Sequence, residues 1–126
     1  MSELTHSDTA IKHNINNIPD INSMDCLLEL IVYVLQPLRD KVDKPVIITS
    51  GFRNSQVNKL VGGALTSQHT KGQAVDFNIK GMNIAATIDF IKKSGIEYDQ
   101  LINEYDKWVH ISFHKGKNRK QCFKIS

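Results

Sequence analysis

The chain has 126 residues, of which 40% are hydrophobic, 23% are charged and only three are proline. This suits one packed domain spanning residues 1–126 and excludes an intrinsically disordered chain. A net charge of +3 is too weakly basic to imply nucleic acid, and would suit association with an anionic polymer such as a bacterial wall.

Residues 1–20 form a polar, Asn-rich N-terminal segment, with one short helix expected over Ser7–Lys12 and capped by Ser7 or Asp8. Ser23 reads as the N-cap of a helix running to about Val42, because Leu27, Leu30, Ile31, Val34, Leu35 and Leu38 recur at three- and four-residue steps. Pro37 lies inside that pattern and should kink the helix or divide it in two. The longest apolar run, Ile31–Leu35, stops at Gln36-Pro37, short of the roughly 18 apolar residues of a membrane span, so none is expected. The first ten residues lack the basic start and apolar block of a secretory signal. Synthesis in the cytoplasm is therefore expected, and action beyond it would need another means of release.

Pro45 precedes a β-branched strand, Val46–Thr49, ended by Ser50-Gly51. A short helix over Ser55–Val61 closes at Gly62-Gly63, and Ala64–Gly72 should be loop. Gln73–Ile79 reads as a strand and Asn83–Ser94 as a helix stopped by Gly95. Tyr98–Phe113 carries one or two strands, and a last strand is expected over Cys122–Ile125. Without regular βαβ alternation, the pattern predicts an α+β domain: a small, mainly antiparallel sheet with flanking helices. Cys26 and Cys122 form no close-ligand pattern and read as two reduced thiols. A disulfide between them would require an oxidising compartment.

The segment from Ser67 to Asp76, SQHTKGQAVD, carries the chemistry. His69 supplies an imidazole suited to zinc, Asp76 a carboxylate seven residues later, and Gly72 lets the backbone turn between them. A catalytic zinc site takes three protein ligands and keeps one position open. His110, flanked by Val109 and Ile111 in a strand-like stretch, is the candidate third ligand. The bland alternative is a solvent-facing His69, a strand-capping Asp76 and a hydrogen-bonded His110.

These residues resemble a known family. SQHTKGQAVD is similar to the SxHxxGxAxD signature of zinc D-Ala-D-Ala carboxypeptidases and phage L-alanoyl-D-glutamate endolysins, whose site architecture the hedgehog metal-binding domain shares. The stretch from Ile48 to Gly63, ITSGFRNSQVNKLVGG, resembles the family's strand-turn block. The stretch from Tyr98 to Phe113, YDQLINEYDKWVHISF, resembles its closing block. The N-terminal stretch from Leu4 to Pro19 adds a weaker similarity. The resemblance implies a hedgehog-like fold, zinc (Zn2+) held by His69, Asp76 and His110, Glu104 as general base, Arg53 facing the substrate, and Ser67 supporting the ligand loop.

One departure concerns the base. Several members of the family carry the catalytic acid three residues before the last His, where this chain has Lys107. Glu104 instead matches the hedgehog-like spacing. In one continuous strand, Glu104 and His110 share a face; a tight turn at Asp106-Lys107 would pair Glu104 with Val109 and could turn it away, unless a bulge restored the geometry. Asp106 is the alternative base. Arg53, always charged, suits an oxyanion or a substrate carboxylate, or else a surface ion pair with Asp40 or Asp43. Trp108 and Tyr98 are candidates to wall the substrate cleft, or else packing residues. His114 reads as a solvated strand-end residue rather than a fourth ligand, and His6 and His13 carry no role. The basic run Lys115–Lys120 reads as a solvated turn or as an attraction for wall polymer.

The implied function is zinc-dependent hydrolysis of peptidoglycan stem peptides, as a D,D-carboxypeptidase or an endopeptidase, by a bacteriolytic, endolysin-like monomer acting on the cell wall. The competing reading is a zinc-containing wall-binding module without turnover. A nucleic-acid binder lacks the expected interleaving of aromatic and basic residues.

Overall fold

The computed structural model describes residues 2–64 and 66–126. Met1 and Leu65, which fall in the expected polar segment and the expected 64–72 loop, lie outside the described residues.

Two short helices, α1 (Ser2–Thr5) and α2 (Asp8–Lys12), open the chain. Ser7 caps α2, its hydroxyl accepting from Ala10 N at 3.1 Å. The next helix begins earlier than its periodicity suggested. Asp20, not Ser23, is the N-cap: its carboxylate takes the Ser23 N–H at 2.7 Å, and Ser23 lies buried in the first turn. From there α3 (Ile21–Leu30), a π turn (Ile31–Leu35) and α4 (Gln36–Val42) run on without a break. Pro37 therefore does not divide the helix. The proline ring needs room beside the carbonyl one turn back, and the wider π turn stands directly ahead of it. By length and composition alone Ile21–Val42 would suffice to cross a membrane, a test that a core helix also passes. Its inward face (Leu27, Leu30, Val34, Leu35, Leu38 and Val42) is the helical side of the core.

The strands are β1 (Val46–Ser50), β2 (Ala74–Ile79), β3 (Gln100–Glu104), β4 (Trp108–Ser112) and β5 (Gln121–Ile125). They form one sheet in the order β1-β2-β4-β3-β5, antiparallel except where β5 lies parallel to β3. The fold is thus α+β with a mainly antiparallel sheet, as the sequence implied. Helix α5 (Ser55–Leu60) follows β1. Helix α6 (Ile84–Ser94) starts at an Asn83 cap and stops at Gly95, whose φ of 82° places it in the left-handed region.

Alternation along the strands gives the sheet two chemistries. One face presents Val75, Phe77, Leu101, Val109 and Ile111, all fully buried against the helices. Each such side chain contributes roughly 1.5–3 kcal/mol of transfer free energy. The opposite face presents Asp76, Glu104, Trp108 and His110.

Candidate metal centre

His69 lies in a 3-10 turn, Gln68–Lys71, whose N-cap is Ser67; the Ser67 hydroxyl accepts from His69 N at 3.2 Å. Gly72 ends the turn with φ 73°, and a Cβ at that position would collide with the Ser23 carbonyl. Conformation and close packing both demand glycine there. The chain then enters β2, and antiparallel register sets Asp76 directly opposite His110. A bulge at the end of β1 places Ser50 beside Asp76 and steers Gly51 toward His69.

The three expected ligands meet, all buried, with one donor atom each lying within 4.8 Å of the others. His69 Nε2 lies 3.3 Å, and His110 Nδ1 3.0 Å, from Asp76 Oδ1. Donors around a tetrahedral zinc, with bonds of about 2.0–2.1 Å, sit about 3.3 Å apart, so the spacing fits that ion. The tautomer of His69 fits as well. Its Nδ1 donates to the Gly51 carbonyl at 2.8 Å, which leaves Nε2 facing the Asp76 oxygen, where it can give a proton to the carboxylate or, deprotonated, a lone pair to a metal. Burial pushes the Asp76 carboxyl up, but the hydrogen bonds and charge of His110 and His69 outweigh it and bring it down to about 2. The residue is therefore a carboxylate ready to act as a ligand.

Glu104 stands beside this cluster, with Oε1 3.5 Å from His110 Nδ1. The turn from β3 to β4 occupies three residues, Tyr105 to Lys107, rather than the two considered from the sequence. Glu104 consequently pairs with Trp108 and faces the same side as His110. Tyr105 and Asp106 take left-handed φ values of 60° and 55° to close it. Trp108 Nε1 donates to Glu104 Oε2 at 3.0 Å and stacks edge-on against Tyr105. Asp106, the alternative base, has its carboxylate engaged by Asn103 at 2.8 Å and Lys124 at 2.9 Å. Asn103 belongs to the face opposite His110.

Arg53 makes no ion pair with Asp40 or Asp43. Its guanidinium is half-buried, donates to Ser67 Oγ at 3.3 Å and leaves Nε buried without a partner. Burial lowers its pKa, while Asp76 and Glu104 pull it back up. Tyr98 packs against the hydrophobic core and does not line the cleft described below, and neither does Trp108. His6 pairs with Asp8 at 2.9 Å, and His114 lines the cleft without joining the three donors. Both cysteines are free thiols.

Sequence reasoning missed the parts that hold this centre in place. Asn17 donates to the Thr5 and Phe52 carbonyls at 3.0 and 2.8 Å and accepts from Asn54 N at 2.9 Å. It thereby ties the N-terminal segment to the loop that carries Gly51 and Arg53. Asp99, almost wholly buried, accepts from Gln68 beside His69 and from Arg119 after β4. Next to the donors opens a cleft of about 680 Å³, lined by His110, Ser67, Lys71, Asp99, Lys117 and Arg119 among others.

No curated protein matches the chain. The model of the peptidase M15 family matches residues 1–112, which include the three donor residues, Glu104 and Arg53. The chain belongs to the peptidase M15 family.

Proposed function

We propose that the protein is a zinc-dependent peptidase that hydrolyses peptide bonds in the stem peptides of bacterial peptidoglycan, in the manner of an endolysin. The observation that carries this reading is the convergence of His69, Asp76 and His110, with a carboxylate, Glu104, 3.5 Å from one of them. Zinc held by the three donors would supply Lewis acidity, polarising a scissile carbonyl and bringing the pKa of a water from about 16 toward 7. Glu104 takes the proton from that water and returns it to the departing amine. Trp108 Nε1 holds the second Glu104 oxygen and so fixes the carboxylate's direction. Arg53, whose positive charge is felt by Asp76 and Glu104, would offer a donor to the oxygen that gains charge as the carbonyl is attacked. The family match supports peptidase chemistry, and the donor set supports zinc.

The test is digestion of purified bacterial wall by zinc-loaded wild type and Glu104→Ala. Wild type is expected to release peptides, with mass spectrometry of the new termini identifying the bond. Glu104→Ala is expected to lose about 10²–10⁴-fold in rate while retaining one zinc per chain. Equal inertness of both proteins, each with stoichiometric zinc, would establish a binding module without turnover instead.

A further inference from the structure

We propose that Asn103 is a positioning residue for the hydrolysis: it clamps Asp106, holds the β3–β4 turn at three residues, and so keeps Glu104 on the metal-bearing side of the sheet. This rests on the peptidase reading above and concerns a side chain on the far face of the sheet, away from the three donors.

Register decides which face the base occupies. Antiparallel pairing sets Glu104 opposite Trp108 and Ile102 opposite His110, so Glu104, Trp108 and His110 share a face. That pairing requires three residues in the turn. A turn of two, the commonest hairpin length, would shift the register by one and send Glu104 to the hydrophobic face. The longer turn is not one its residues favour. Tyr105 and Asp106 take φ of 60° and 55°, the left-handed region that a Cβ disfavours. Asp can offset this with its short polar side chain, whereas Tyr has no such means. Backbone strain of this kind persists only where neighbouring contacts over-determine it.

Asn103 supplies such contacts from inside the sheet, where its side chain is buried. Its Oδ1 accepts from Asp106 N at 2.9 Å, and its Nδ2 donates to Asp106 Oδ1 at 2.8 Å. One amide thus holds both the backbone and the side chain of the residue at the centre of the turn. Three further contacts brace it. Lys107 N donates to the Glu104 carbonyl at 3.0 Å, Tyr105 N to the Ile125 carbonyl at 2.9 Å, and Lys124 Nζ pairs with Asp106 Oδ2 at 2.9 Å. The last two partners come from β5, which lies beyond the stretch matched by the family, 1–112. An exposed ion pair such as Lys124–Asp106 contributes little, whereas losing a buried amide leaves its partners unsatisfied. Asn103 is therefore the member of the clamp whose removal matters most. With the turn fixed, Trp108 Nε1 meets Glu104 Oε2 at 3.0 Å, and Oε1 stands 3.5 Å from His110 Nδ1. Displacing a catalytic group by about an ångström can cost on the order of a hundredfold in rate.

The experiment uses zinc-loaded, full-length protein and a synthetic stem peptide that contains the bond wild type cuts. Asn103→Ala is expected to lower kcat by about 10–100-fold, with KM within about twofold and one zinc per chain retained. Added to Glu104→Ala, the same substitution should change the residual rate by less than about twofold, because the base through which Asn103 acts is gone. Asn103→Asp sets two carboxylates against each other and should be impaired as well. Asn103→Asp/Asp106→Asn exchanges the partners, restores a donor and an acceptor, and should recover most of the wild-type kcat. Val42→Ala, which shortens a core side chain at the end of α4, should keep the wild-type kcat and so separates lost stability from lost alignment. Should Asn103→Ala not fold, Asp106→Ala breaks the clamp from its exposed side, and a loss in kcat at constant KM is expected there too. The role of Asn103 is overturned if kcat stays within about twofold of wild type in the clamp variants, or if the loss persists in full on Glu104→Ala. It is equally overturned if the exchanged pair is no better than Asn103→Asp. In each of those cases Glu104→Ala remains slower than wild type and the peptidase reading stands. A wild type that cuts neither the peptide nor intact wall would overturn that reading, and the role of Asn103 with it.

Discussion

At the scale of single residues, the centre depends on hydrogen bonds that leave each side chain one role. His69 has its Nδ1 committed to the Gly51 carbonyl, so only Nε2 is free to face a metal. Asp76 turns one oxygen to both imidazoles, and Glu104 is aimed by the Trp108 indole. Asp99 does comparable work outside the metal centre. The Arg119 guanidinium, outweighing the effect of burial, holds its carboxyl far below the usual carboxylate range, helped by the Arg119 N–H and the Gln68 amide. The sign of the linkage follows directly. A carboxylate with a depressed folded-state pKa stabilises the fold fully above its unfolded value of about 4, and that stabilisation is lost as pH falls toward the folded value. Asp99→Asn should therefore lower the urea midpoint at pH 6 and flatten the decline expected of wild type from about pH 5 to pH 2. Parallel declines in the two proteins would mean that Asp99 does not carry the acid sensitivity.

At the scale of elements, the site depends on how separate segments are pinned together. The loop between β1 and α5 is held from outside by the N-terminal segment: Asn17 clasps Phe52 and Asn54, Phe52 N bonds to the Leu4 carbonyl, and no room remains for a side chain at Gly51. That loop in turn supplies the carbonyl that orients His69 and takes up the His69 carbonyl through Arg53 N at 3.1 Å. Asn17→Ala should cost about 1–3 kcal/mol in stability by leaving polar groups unpaired. It should also weaken zinc roughly tenfold, as losing support for a ligand commonly does. Zinc titration of the folded variant checks this, and an unchanged affinity would limit Asn17 to a structural role. Little of this clasp was legible beforehand. The longer helices and the strands followed from local signals (β-branched runs, caps and glycine stops), the short α1 and the 3-10 turn did not, and the grouping of His69, Asp76 and His110 was expected only from the family resemblance. The Asn17 clasp joins positions 35 or more residues apart and leaves no periodic trace. The start of α3 was misplaced because Asp20 and Ser23 are both good caps and only the fold chooses between them. The β3–β4 turn was misjudged because residues with positive φ are hard to foresee in Tyr105-Asp106, which lacks glycine.

At the scale of the whole molecule, the three donors come from three places: a 3-10 turn before β2, the middle of β2, and the middle of β4. An unfolded chain holds His69 and His110 41 residues apart in sequence and cannot present the same cluster. Zinc would therefore bind the native state far better than the unfolded one, and its binding energy would add to folding. At free zinc about 100 times the dissociation constant, the gain is about 2.7 kcal/mol, which for a domain of this size raises the melting temperature by roughly 10 °C. Chelation should reverse the rise, and further zinc should extend it logarithmically. His69→Ala separates this linkage from nonspecific effects of the ion. The variant removes one of three donors and leaves the hydrophobic face of the sheet untouched, so its melting temperature should respond weakly to zinc while its cooperative transition persists. A wild type whose melting temperature ignores both zinc and chelator would show that the buried His-Asp-His cluster gains no stability from the ion. The case for a metal between His69 Nε2 and Asp76 Oδ1 would then fail with it.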